Sequence, residues 1–221
     1  MSGRLIVLEG IDGSGKSTQT QMLCAALASA GRDARHIKFP DYADPSSELV
    51  RMYLRGEFGA GAGDVNAYAA STFYAVDRYA SYRRHWEADY LSGRLIVTDR
   101  YASSNIIHQS PKLPRDEWED FVRWAEDFEY EKLGIPRPDL VIYLYLPAET
   151  ARQRLACRSA SGGGPPDIHE RDLDYLRRCA QAADWAAQKL GWATVKCAGA
   201  NSELRGRGDI HSEILSLVSR L

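Results

Sequence analysis

The first residues able to do chemistry run from Gly10 to Thr18 as Gly-Ile11-Asp12-Gly13-Ser14-Gly15-Lys16-Ser17-Thr, a match to Gly-x-x-x-x-Gly-Lys-Ser. Such glycines let successive backbone N–H groups turn inward around a polyphosphate, and a helix starting behind them adds the positive end of its dipole. Lys16 is long enough to reach the outer phosphates, and the Ser17 hydroxyl is a hard oxygen that suits magnesium. Both flanks fit this chemistry. Leu5-Ile-Val-Leu is an apolar run fit for a buried strand, and Gln19 to Ala30 carries apolar residues at helical spacing.

Kinases, ATPases, GTPases and transporters share a phosphate loop. An Asn-Lys-x-Asp guanine-reading motif is absent, which weighs against a GTPase. Ser159 to Pro166 reads Ser-Ala-Ser-Gly-Gly-Gly-Pro-Pro, a composition that forms no packed element; Arg154 and Arg158 precede it, and Asp167, Glu170 and Arg171 follow. A segment hinged by Gly and Pro and bracketed by arginines suits a phosphoryl-transfer lid, here about 154–171, that excludes water and brings positive charge to the transferring group. Without the phosphate loop the same stretch would read as a surface loop between two helices.

The elements that must position these groups alternate. Strands are expected at Arg35 to Phe39, Leu95 to Thr98 (running into Asp99-Arg100-Tyr101), Asp139 to Leu146 and Trp192 to Cys197, after the first at Leu5. Helices are expected at about Pro45 to Arg55, Asp64 to Leu91, Pro114 to Leu133, Ala148 to Cys157, Ile168 to Leu190 and Asp209 to Leu221. Strands separated by helices imply a three-layer α/β fold: a five-stranded parallel sheet, covered on both faces, with ligands at the carboxyl ends of the strands. The 221 residues suit a single domain, 1–221, with 44% hydrophobic and 26% charged residues. A net charge of −2 argues against nucleic acid or a membrane surface as partner. The N-terminus lacks a signal-peptide pattern, no apolar run has membrane-spanning length, and Cys24, Cys157, Cys179 and Cys197 form no CxxC pair. A reducing, cytoplasmic setting is expected, with those cysteines mostly as small packing residues.

Five motifs, in order, resemble the thymidylate kinase family over nearly the whole chain: Glu9 to Thr18, Phe39-Pro40-Asp41-Tyr42, Tyr74-x-x-x-Arg78, Asp99-Arg-Tyr-Ala-Ser-Ser-Asn105 and Asp167-Ile-His-Glu170. The resemblance implies a P-loop kinase that moves the γ-phosphate of ATP onto dTMP to give dTDP for dTTP synthesis, with Mg2+, as a homodimer built on the long aromatic helix. It implies that Arg100 clamps the dTMP phosphate, with a hydroxyl added by Tyr42, and that Asp99 holds the magnesium shell. Asp12 matches the aspartate near the sugar 3′-hydroxyl and Tyr74 the aromatic stacked on thymine. Arg78, one turn along, matches the donor to O4; Asn105, with Ser104 beside it, faces the Watson–Crick edge. Phe39 belongs to the same dTMP set, His108 stands where the family often crowds the sugar 2′ carbon, and Glu170 is a further metal candidate.

Two departures touch the catalytic charge. Gly13 stands where some members carry an arginine, and Ile168 where others do, so Arg158 is the first candidate, Arg154 the second and Arg171 the third. A dTMP phosphate oxygen is already anionic, so no general base is needed and catalysis reduces to positioning and charge stabilisation. dUMP is expected to be a poor substrate and dCMP nearly none. Two alternatives stay open. One is a deoxynucleoside kinase, whose base would be Asp41, or a kinase for another monophosphate; the other is a nucleotide-binding switch without turnover. The aromatics Tyr68, Phe73, Tyr79, Tyr82 and Trp86 are expected as core or dimer contact. The acidic run Glu117 to Glu131 is expected as a solvated helix face, and His36, His85, His169 and His211 lack metal-ligand spacing.

Overall fold

The structure is a computed structural model that describes residues 2–59, 61, 63–160, 172–199 and 203–221. Its sheet has the order β2-β3-β1-β4-β5, made of β1 (Leu5–Glu9), β2 (Ala34–Lys38), β3 (Leu95–Asp99), β4 (Leu140–Tyr145) and β5 (Ala193–Lys196), all parallel. The expected strands are present, with ends shifted by a residue or two. Every residue of β1 and β3 is buried, as a central strand covered on both faces requires, whereas β2 at one edge is only partly covered.

Around the sheet lie α1 (Lys16–Ser29), α2 (Glu48–Leu54), α3 (Ala67–Ser81), α4 (Glu87–Leu91), α5 (Ser103–Gln109), α6 (Trp118–Glu126), α7 (Ala148–Ala160), α8 (Leu173–Leu190) and α9 (Arg207–Val218). The period-2 alternation of β1 divides the core. Ile6 and Leu8 join Leu23, Leu27, Ile142 and Leu144 on one face; Leu5 and Val7 join Phe39, Trp86, Ile96 and Tyr101 on the other. Side-chain caps set two helix starts that matter below: Asn66 Oδ1 accepts from Ala69 N at 2.9 Å at the head of α3, and Asp172 Oδ1 from Tyr175 N at 2.9 Å at the head of α8.

Three expectations change. The single helix at 64–91 divides into α3, a π-helical turn over Tyr82–Trp86 and α4. The helix at 114–133 likewise ends in a π-helical segment, Asp127–Lys132. Helix α5, unforeseen, follows directly on the Asp99-Arg100 turn.

Position follows from register. Leu8 pairs with Asp99 across the parallel β1–β3 ladder, so the two strands end level and their following turns open side by side. The chain crosses from β3 to β4 on the far side of β1, which makes this a topological switch point, where open α/β sheets place a ligand crevice.

Candidate active site

The loop after β1 takes conformations that glycine tolerates, with φ of 149° at Gly10, 84° at Gly13 and 96° at Gly15. A Cβ on Gly13 would sit 2.8 Å from the Ala151 carbonyl, because α7 lies against the loop. Helix α1 opens at Gly15 without a side-chain cap, so its first N–H groups are open to an anion. Lys16, 6% exposed, folds its Nζ back to donate to Gly10 O at 2.8 Å and Ile11 O at 3.0 Å. Burial, helped by the Arg100 charge, lowers its pKa to about 8 against the pull of Asp12, Asp99 and Glu9.

At the tip of β3, Asp99 Oδ2 accepts the Ser17 hydroxyl, and its Oδ1 is buried without a hydrogen-bond partner among the described residues. Arg100 follows with φ 69°, the one non-glycine residue in the left-handed region among the described residues. That conformation is held at both ends: Arg100 N donates to Leu8 O at 3.2 Å, and Arg100 O accepts from Thr98 Oγ1 at 2.7 Å. It turns the guanidinium toward the phosphate loop. Nη2 donates to Asp12 Oδ1 at 2.5 Å; Nη1 donates to His108 Nε2 at 2.8 Å and, more weakly, to Ser104 Oγ at 3.5 Å. A guanidinium only donates, so His108 accepts through Nε2 and carries its proton on Nδ1.

Glu9 completes this end and was legible only as part of a motif. Fully buried at the end of β1, it accepts from Ser103 Oγ at 2.7 Å, Ser104 Oγ at 2.8 and 2.9 Å, and Tyr101 N at 3.2 Å. It thereby ties the Arg100 turn and the start of α5 to the strand that carries the phosphate loop. Desolvation raises its pKa, opposed by Arg100 and the two hydroxyls.

Opposite, Arg78 of α3 is 1% exposed and grips Glu129 with two bonds, Nε to Oε2 at 2.6 Å and Nη2 to Oε1 at 2.5 Å. Asn105 Nδ2 donates to the same Oε1 at 2.9 Å and to Ser71 O at 3.3 Å. The expectation of a solvated acidic face therefore fails at Glu129, which is 1% exposed. Its neighbours Asp127 and Glu131 do face solvent. The Tyr74 ring is half-buried, its place fixed by a T-shaped contact with Tyr53 at 6.3 Å and 88°. Phe39 packs on Tyr101, and Tyr42 is 45% exposed.

One cavity of about 530 Å³ brings these groups together. Its lining includes Asp12, Gly13, Gly15, Lys16, Ser17 and Thr18 of the phosphate-loop motif, Asp99 and Arg100 at the tip of β3, Phe39 and Tyr42 after β2, Tyr74 and Arg78 of α3, and Ser104, Asn105 and His108 of α5. Gly10, Ile11 and Ser14 are buried behind the loop. Arg154 of α7 lines the cavity, whereas the Arg158 side chain, Glu170, Arg171 and most of the expected lid lie outside the described residues. Lys38, Leu54 and Gln109 line it too, and nothing in their local sequence singled them out.

Residues 8–205 match the family model "Thymidylate kinase". A thymidylate kinase of Mycobacterium tuberculosis is 33% identical over 197 residues, covering 86% of this chain and 90% of that one; one from Schizosaccharomyces pombe is 30% identical over 223 residues, covering 99% and 93%. The thymidylate kinase structure from Candida albicans superposes with a TM-score of 0.73 at 22% identity, over 99% of this chain and 92% of that chain, and shares the fold. With the match running from β1 past β5, and the turns that follow β1 and β3 inside it, the chain belongs to the thymidylate kinase family.

Proposed function

We propose that the cavity performs the family's reaction, transfer of the γ-phosphoryl of ATP to the phosphate of dTMP, with roles divided between its two ends. The phosphate loop, Gly10 to Thr18, takes the ATP phosphates, and Lys16 stabilises charge on the transferring group. Arg100 holds the acceptor phosphate with the help of Tyr42, while Asp12 and His108 flank the sugar beside it. Tyr74 and Phe39 receive the ring; Arg78 and Asn105, with Ser104 next in line, meet its polar edge. The observation that carries this reading is the level ending of β1 and β3, which sets a bidentate phosphate donor opposite an open helix N-terminus.

The same geometry favours a monophosphate acceptor over a nucleoside. A nucleoside kinase must deprotonate a 5′-hydroxyl, and the candidate base Asp41 lines a neighbouring cavity at the outer edge of β2 rather than the central one. The central carboxylates Asp12 and Asp99 are already tied to Arg100 and Ser17. Arg154 lines the cavity, and Arg158 and Arg171 remain candidates beside it for the catalytic charge. Ser17 and Asp99 fit magnesium: both offer hard oxygens, and Asp99 Oδ1 is buried with no partner among the described residues. Magnesium there would neutralise charge on the phosphates. Four dispersed cysteines without a CxxC pair fit a cytoplasmic setting, and no helix among the described residues is long and apolar enough to cross a membrane.

Coupled ADP-release assays test the assignment. Turnover with dTMP, weak turnover with dUMP and almost none with dCMP or thymidine is expected; preference for thymidine, or ATP binding without turnover on any of them, overturns it. We also propose a homodimer through α3, because Tyr68, Val76 and Tyr79 lie 38%, 42% and 41% exposed along one face of that helix. A monomeric mass by light scattering would refute the dimer.

A further inference from the structure

We infer that Glu129, which touches no substrate, is a positioning residue that sets the specificity of the base subsite by fixing what Arg78 and Asn105 present to the ring. The inference rests on the reading that this end of the cavity takes a pyrimidine. An asparagine amide can present either its oxygen or its NH2 to a ligand, and neighbours decide which. Here both neighbours of Asn105 Nδ2, the Glu129 carboxylate at 2.9 Å and Ser71 O at 3.3 Å, only accept. The NH2 must face them, and Oδ1 is left as the group Asn105 can offer. Turning the amide over would press Oδ1 against a carboxylate that is 1% exposed, where no water softens the repulsion.

Arg78 is constrained by the same carboxylate. Its Nε and Nη2 are taken at 2.6 and 2.5 Å, which locks the plane of the guanidinium and directs the remaining donors. The pair thus offers the cavity a donor group from Arg78 and an acceptor from Asn105. A ring carrying a carbonyl beside an N–H, as in thymine O4 and N3–H, complements that pair. A ring carrying an amine beside a bare nitrogen, as in cytosine, mismatches both. Glu129 lies in the π-helical segment Asp127–Lys132, a rare turn that recurs at functional sites.

The experiment is Glu129→Gln, read as kcat/KM for dTMP, dCMP and N3-methyl-dTMP, with thermal unfolding to confirm the fold. Two N–H groups meet Oε1 and a third meets Oε2; an amide has one oxygen, so its NH2 faces either Arg78 Nε, or Arg78 Nη2 and Asn105 Nδ2 together, and donor meets donor in both orientations. The variant's dTMP kcat/KM should fall about tenfold or more, and its dCMP-to-dTMP ratio should rise about tenfold. Glu129→Asp keeps the charge but is one methylene short of serving both partners; its ratio should rise about threefold, and it carries the test if the amide variant fails to fold. Ratios within about twofold of wild type in every folded variant overturn the inference. Wild-type enzyme should turn over N3-methyl-dTMP at least tenfold less well than dTMP, on the order expected for a lost polar pair. If it does not, the reading of the base subsite fails as a whole; if it does while the variant ratios stay fixed, only the role of Glu129 fails.

Discussion

Lys16→Ala is expected to lower kcat by about 10³-fold or more, the scale of losing one preorganised cation at the transferring phosphoryl group. The chain should still fold. Gly10 O and Ile11 O lose their donor, at about 1–3 kcal/mol, but a buried cation is removed with it. The same residue has a pH signature. With its pKa at about 8 in the folded chain against about 10.4 unfolded, Lys16 binds fewer protons when folded across that interval. Its destabilising contribution is therefore full below pH 8 and is relieved as pH climbs from about 8 to about 10.4, a slope the alanine variant lacks. Phosphates placed on Nζ reverse the shift, so binding Mg-ATP at pH 8 should take up about half a proton. Calorimetry in buffers of different ionisation enthalpy measures this. Wild-type-like turnover, or the same proton uptake in the variant, would refute the role.

What was legible in the sequence was what is encoded locally. The phosphate loop needs only neighbours along the chain, and so do the burial of Leu5 to Leu8 and the helix behind the loop; all three are where the spacing puts them. The alternation of strands and helices was likewise enough for the parallel sheet, though not for its order. The Arg100 to Asp12 contact joins residues 88 apart, and it exists because Leu8 is in register with Asp99, a fact of pairing that no single segment carries. Glu129 shows the limit more sharply. It sits among acidic residues that are solvated, and Arg78, 51 positions away and equally buried, pairs with its charge while Asn105 adds a further donor, which together make its burial tolerable. The break at Tyr82–Trp86 has the same origin: Trp86 is fully buried against Tyr82 and Tyr101, and packing overrides the helical period that the sequence displays.

Arg100→Ala should damage the acceptor side and spare the donor side. The guanidinium has five N–H groups; Asp12, His108 and Ser104 engage three, and the other two suit the paired oxygens of a phosphate. Losing that grip removes about 2–5 kcal/mol of interaction, or roughly 30- to 4,000-fold in kcat/KM for dTMP. The KM should rise and kcat fall together, because the arginine both binds the acceptor and holds it in line with the γ-phosphoryl. ATP affinity should change by less than about threefold, since the loop amides and Lys16 stay in place. Alanine tolerates φ 69° no better than arginine, so backbone strain does not separate the variants, and Arg100→Lys isolates the fork from the charge. Lysine keeps the charge and loses the two-pronged geometry, so it should recover only part of the activity. A variant whose dTMP kinetics survive while ATP binding collapses would move Arg100 to the donor subsite, and full activity in Arg100→Lys would show that charge alone suffices.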